Sequence, residues 1–281
     1  MKKNLIFLCM FAILSGCPTL GQTQSIFWEF VLGNDGVVHV TVTPKEVSEV
    51  VVPITLQNLQ VQGSKYDVVT FKNYTTTIKL SKSDANSVTI EYDWPDGALP
   101  SYKKESLWFF DTFRLDSSSS GKIILPAETF LIKKDFRDCE GQVVQQMERI
   151  EISFRAAGKR LLIRLVYNFP WKEKFKKEQL EHLTIYYPDV QQFRECYSAI
   201  LDKFVNDSYA TYQKYREYLH WAPDSVDICF VHPTAVWHAN PIAGACTYMG
   251  KHPIIWYPYR ALAGYEFPPP DLTSQDDGNV P

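Results

Sequence analysis

Apolar and polar residues alternate in short runs through the first 170 residues, and after that the period lengthens. Runs rich in Val, Ile, Thr, Phe and Tyr cover 37–42, 50–54, 66–71, 75–80 and 87–92. Further runs follow at 107–110, 122–125, 129–132, 149–154 and 160–167. Turn signals separate them: GND G-type clusters at 33–36, QGS at 62–64, DAN at 84–86 and WPDG at 94–97. Strands at this spacing suggest a sandwich or a barrel. Over 149–154 the alternation is clean, so Ile150, Ile152 and Phe154 face away from Arg149, Glu151 and Ser153. The run of serines at 117–120 before Gly121 reads as a flexible loop.

The stretch 171–179 carries charges of alternating sign and reads as a solvated connection. An apolar run, LTIYY at 183–187, is closed by Pro188. A long helical pattern covers 189–220. It opens on Asp189 and Gln192, which resemble a capping box, and carries Val190, Phe193, Tyr197, Ile200, Leu201 and Phe204 at helical intervals. Tyr212, Tyr215 and Leu219 extend that stripe. The strand VDICFV at 226–231 follows, then a loop over 232–238, then two segments at 244–250 and 254–257 set as a hairpin. The chain thus divides into a β-sandwich over 22–170, a partial α/β unit (strand, long helix, strand, hairpin) over 180–265 and a disordered tail over 266–281. The expected fold class is α+β.

Composition changes this picture little. Aromatic residues reach 14%, which favours β-structure. A net charge of -3 gives no reason to expect nucleic acid as a partner. The N-terminus adds more. Lys2 and Lys3 precede an uncharged apolar core at 5–14, shorter than the ~20 residues of a spanning helix. It ends in LSGC at 14–17, matching the bacterial lipobox, in which cleavage before the cysteine is coupled to lipid attachment. Residues 1–17 are therefore expected to be a signal peptide, with Cys17 lipidated and the protein exported and held at the membrane on the cell surface or in the periplasm. An exported chain can oxidise Cys139, Cys196, Cys229 and Cys246. Of the three pairings that four cysteines allow, Cys229 with Cys246 is the first expectation, since their segments are neighbours.

Candidate chemistry gathers near the C-terminus. His232, His238 and His252 lie within 21 residues, and three histidines can hold a catalytic zinc. Loop spacing specifies no geometry, and ordinary turn histidines are the plainer reading. Cys246 beside His238 or His252 is a conceivable nucleophile pair without a recognised signature around it. Trp237, Tyr248, Trp256, Tyr257 and Tyr259 could form an aromatic platform for peptide or glycan, or serve as core.

The succession of LTIYYP, a long helix, VDICFV and a Gly-Ala-x-Thr-Tyr edge before a second apolar strand resembles the peptidase-MA-like group of gluzincin metallopeptidases. Many of these place a β-sandwich ahead of the catalytic unit. The resemblance covers about the last third of the chain and implies that Gly244, Ala245, Cys246, Thr247 and Tyr248 form a sheet edge lining a substrate cleft. Such an edge binds an extended peptide by strand addition. The resemblance also implies a following helix with H-E-x-x-H, whose histidines bind zinc and whose glutamate is the general base. No H-E-x-x-H occurs in the sequence. EQLEH at 178–182 ends like the inverted zinc motif but begins with Glu. Three prolines at 268–270 and the polar tail do not suit a helix. The expectation is an exported scaffold or front portion of such a peptidase. It would be non-catalytic as it stands, and zinc would enter only if a longer frame supplied the motif. The alternative is a cell-surface peptide- or glycan-binding module using the C-terminal aromatics.

Overall fold

The computed structural model describes residues 26–259 except 54, 71–74, 82–87, 146–148, 190, 220–222, 241–245 and 249–251, and of 69–70, 75, 191–200, 219 and 246 the backbone alone. The expectations for the leader with Cys17, for Gly244 and Ala245, and for the tail at 266–281 lie outside the described residues.

Among the described residues, strands occupy most of the chain. The front part contains β1 (Ile26–Leu32), β2 (Val38–Pro44), β3 (Glu49–Pro53), β4 (Gln57–Gln62), β5 (Tyr66–Thr70), β6 (Thr75–Leu80) and β7 (Thr89–Trp94). It continues with β8 (Ala98–Pro100), β9 (Leu107–Asp111), β10 (Leu115–Asp116), β11 (Ser119–Ile124), β12 (Phe130–Arg137), β13 (Cys139–Gln145), β14 (Ile150–Ala156) and β15 (Arg160–Asn168). The last part contains β16 (Phe175–Leu180), β17 (Leu183–Pro188), α1 (Gln191–Leu219), β18 (Val226–Val231), α2 (Pro233–Ala239), β19 (Cys246–Tyr248) and β20 (Ile254–Pro258). Strand makes up 58% and helix 13%, which overturns the α+β expectation: this is a mostly β molecule of several sheets. The reason is local. Sequence runs missed β1, β4, β8, β10 and β13, and β16 turns a supposed connection into a strand.

Seven strands form one sheet in the order β13-β14-β11-β1-β2-β7-β4. β1 sits at its centre, antiparallel to β2 and parallel to β11. Its alternation is strict, with Ile26, Trp28, Phe30 and Leu32 buried. The serine run is not a loop throughout, because Ser119 and Ser120 open β11. Ser119 is buried, and its hydroxyl accepts from Trp28 Nε1 at 3.2 Å and donates to Asp116 at 3.1 Å. A second sheet runs β10-β15-β9-β8, with β12 also paired to β15. A three-stranded sheet, β3-β6-β5, adds Val50, Val52 and Ile78 to the main core.

The second sheet is buried on both faces. Trp108 and Phe110 of β9, with Leu161, Ile163, Leu165 and Tyr167 of β15, pack against the seven-stranded sheet. Phe109 and Val166, on the opposite face, pack against β18 and α2. The unbroken apolar run at 107–110 is what a strand buried on both sides requires. At the β1–β2 turn, Gly36 has φ of 88°, and a Cβ there would meet Ala98 O at 2.6 Å and the Trp108 ring at 2.7 Å, so glycine is required both by conformation and by space.

The last sheet has the order β16-β17-β18-β20-β19. β17, β18 and β20 are parallel, while β16 and β19 are antiparallel additions at the two ends. The charged stretch read as a connection is thus an edge strand. Its outward Lys and Glu side chains blunt further pairing, as edge strands commonly do. α1 crosses between β17 and β18. Leu201, Phe204, Val205 and Tyr212 bury against Ile185, Tyr187, Ile228 and Phe230, with Leu99 of β8 in the same cluster. Tyr215, expected in that stripe, is instead 58% exposed. Asp189 pairs with Lys176 Nζ at 3.0 Å.

Candidate functional site

The segment 232–239 is not a loop but the short helix α2, and its start is legible once seen. His232 is the N-cap, its Nδ1 accepting from Thr234 N at 3.2 Å, and Pro233 takes the first helical position, where no N–H is needed. Thr234 donates to Phe110 O at 3.2 Å, and His232 Nε2 faces Gly97 O at 3.2 Å, so this helix locks the last sheet onto the front of the molecule.

The three histidines do not converge. His232 is buried in those capping contacts. His238, at the last turn of α2, lies beside the Phe109 ring, centroids 6.1 Å apart. Burial, then the Lys133 ammonium, holds its imidazole below the ordinary range. His252 sits on the β19–β20 turn and bonds Ser225 and Asp227. Among the described residues no group of three His, Cys, Asp or Glu side chains is placed to hold a metal ion.

The expected disulfide is corrected as well. Cys229 is a free, buried thiol. Cys229 and Cys246 both register with Trp256, one from each side of β20. They are therefore two strand spacings apart, roughly 9–10 Å, beyond the ~7 Å that a disulfide spans. Burial, with the Asp227 carboxylate adding to it, pushes the Cys229 thiol well above the ordinary range, so it is no ready nucleophile.

The aromatics do not form one platform. Trp237 is buried, with Lys133 Nζ 4.1 Å above its ring and the Arg164 guanidinium at 5.6 Å. Trp256 and Tyr257 are successive residues of β20 and point to opposite faces. Tyr257 packs on Phe204 and Phe230 beneath α1, whereas Trp256 meets Tyr102 and Tyr248 on the other face. Tyr259 is buried and donates to Asp96 O at 3.1 Å.

What remains accessible is the end of the sheet. β19 pairs with β20 through Cys246↔Trp256, Thr247↔Ile255 and Tyr248↔Ile254, and no described strand pairs with its other side. Thr247 is exposed, and Tyr248 is 44% exposed with its ring 5.1 Å from Trp256 in edge contact. Trp256 is braced in turn by Tyr102 at 5.7 Å, which lies 5.7 Å from Tyr186. β19 thus ends the described order of the sheet and carries a half-exposed ring braced by an aromatic stack.

No protein-family model matches the sequence, and no curated protein does. Solved structures do resemble it. Leukotriene A4 hydrolase from Saccharomyces cerevisiae aligns over 84% of this chain and 40% of its own, at 12% identity and TM-score 0.35. An aminopeptidase N family protein from Idiomarina loihiensis aligns over 82% of this chain and 42% of its own, at 11% identity and TM-score 0.31. An M1 zinc metallopeptidase from Deinococcus radiodurans aligns over 60% of this chain and 47% of its own, at 12% identity and TM-score 0.29. The chain spans less than half the length of each, and the resemblance is to part of those proteins.

Proposed function

We propose that the chain is an exported, lipid-anchored module that binds an extended peptide by strand addition at the Cys246–Tyr248 edge and does not itself hydrolyse it. The observation that carries this reading is the position of β19. It ends the sheet, presents Thr247 and Tyr248 outward and has an aromatic floor in Trp256. Main-chain bonds to the edge would supply affinity, and the Tyr248 ring would supply a side-chain contact for one residue of the peptide. Hydrolysis is not part of the proposal. The sequence has no H-E-x-x-H, and the histidines it does have are engaged separately, in a helix cap, at the Phe109 ring and in a turn. No zinc is assigned to these residues. Lipidation at Cys17 of the LSGC motif would hold the module at the membrane, where an extended peptide or surface polypeptide is the partner.

Titration of the protein with a pool of unstructured hexapeptides tests the reading. Measurable binding is expected, and Tyr248→Ala should weaken it about tenfold, the usual scale for truncating an aromatic contact of more than 1 kcal/mol. Unchanged affinity in that variant would remove β19 from the binding surface.

A further inference from the structure

Ser225, His252 and Asp227 form a hydrogen-bonded chain at the opening of β18. Ser225 Oγ lies 2.5 Å from His252 Nδ1, and His252 Nε2 lies 2.9 Å from Asp227 Oδ2. Ser225 immediately precedes β18 and Asp227 is its second residue, and the imidazole reaches both from the β19–β20 turn. The proton positions follow from the partners. A carboxylate only accepts, so Nε2 carries the hydrogen toward Asp227. In the neutral ring Nδ1 is then an acceptor, and the Ser225 hydroxyl donates to it. The Asp227 side chain is largely buried at 13% exposure, while His252 is 46% exposed and Ser225 half-buried. The carboxylate is thus fixed and the hydroxyl reachable.

We infer that Ser225 is an acyl-accepting nucleophile, with His252 as its general base and Asp227 as the positioning residue that holds the ring. A nucleophile within bonding reach of a base, itself oriented by a third group, is the arrangement that activates a serine. The site differs from the β19 edge and does not depend on peptide binding there. Its chemistry is limited by the neighbouring backbone. Val226 N donates to His182 O at 2.8 Å and Asp227 N to Pro253 O at 2.9 Å, so neither N–H is spare for an oxyanion. The substrates that fit are therefore activated esters and other acyl compounds with good leaving groups, not amides. In the step, Ser225 Oγ bonds the acyl carbon while its proton passes to His252 Nδ1. The ester C–O bond breaks, and the leaving oxygen takes that proton. Water then attacks the acyl-serine, giving its proton to His252, which returns it to Ser225 as the acid departs.

The test treats the full chain with a fluorophosphonate probe and maps the adduct by mass spectrometry, with p-nitrophenyl acetate turnover measured alongside. An adduct on Ser225 is expected, absent in Ser225→Ala, with His252→Gln slowing its formation about 100-fold, the scale of general-base catalysis. Asp227→Asn should also slow it, and Asp227→Glu should recover part of the rate, a rescue that a merely structural contact would not give. Ser225→Ala removes one oxygen atom, so a folding defect there would show as a lowered unfolding midpoint. No adduct on the folded wild-type protein, or an adduct that persists in Ser225→Ala, overturns the assignment. Peptide binding at β19 unchanged in Ser225→Ala keeps the two sites separate.

Discussion

At the scale of single residues, burial decides most roles, and the sequence does not display burial directly. His232, His238 and His252 look alike on a line, yet one caps a helix, one lies against Phe109 and one bridges Ser225 and Asp227. The His238 imidazole is held below its ordinary value by burial and then by Lys133. A base whose folded value is depressed contributes stability above its unfolded value, and that contribution is lost as pH falls through the folded one. Lowering pH from about 7.5 to about 5, across the unfolded histidine range near 6.5, should therefore destabilise the wild type more than His238→Gln. Urea unfolding at several pH values reads this, and parallel curves for the two proteins would dissociate His238 from the effect. Ser225, a lone serine before a strand, carries no signal in the sequence. Only the fold brings His252 to it across the sheet.

At the scale of elements, the signals that survived were those with a strict period. The alternating run at 149–154 became β14 and the WPDG turn at 94–97 closes with Gly97 N on Trp94 O at 3.2 Å. The long helical pattern became α1, and 254–257 lies within β20, paired antiparallel with β19. Several of the misses share a cause. β13 and β16 are edge strands rich in charged or polar residues, and polar edges resemble loops when the pairing partner is unseen. α2 has seven residues, too few for a hydrophobic period to register, and only the His-Pro start betrays it. Among the described side chains of α1, Phe204 packs on the sheet with its ring 5.1 Å from Phe230 and 5.5 Å from Tyr257. Phe204→Ala should cost about 3–5 kcal/mol in chemical denaturation, as large-to-small core changes do. A loss below 1 kcal/mol would mean that α1 is not part of the cooperative core.

At the scale of the molecule, the sheet of β9 and β15 is shared between neighbours on both faces, so the front sandwich and the last sheet are packed as successive layers. That arrangement was only partly legible. The unbroken apolar run at 107–110 signals burial on both faces, but nothing in it names α2 as the second neighbour. Of the two roles open to the C-terminal aromatics, Trp237 takes the core one, serving that layer contact. The leader expectation carries its own test: if Cys17 anchors the protein, Cys17→Ser should move it from the membrane to the soluble fraction on detergent-free fractionation, and an unchanged distribution would dispense with the anchor.

The central claim is that the Cys246–Tyr248 edge takes up an extended peptide as an added strand. Amide hydrogen exchange across Cys246–Tyr248, with and without a saturating pool of hexapeptides, addresses it most directly. Strand addition predicts slowed exchange confined to that edge, because the added peptide strand covers it. Exchange there that is already slow without peptide, or unaltered with it, would contradict the account.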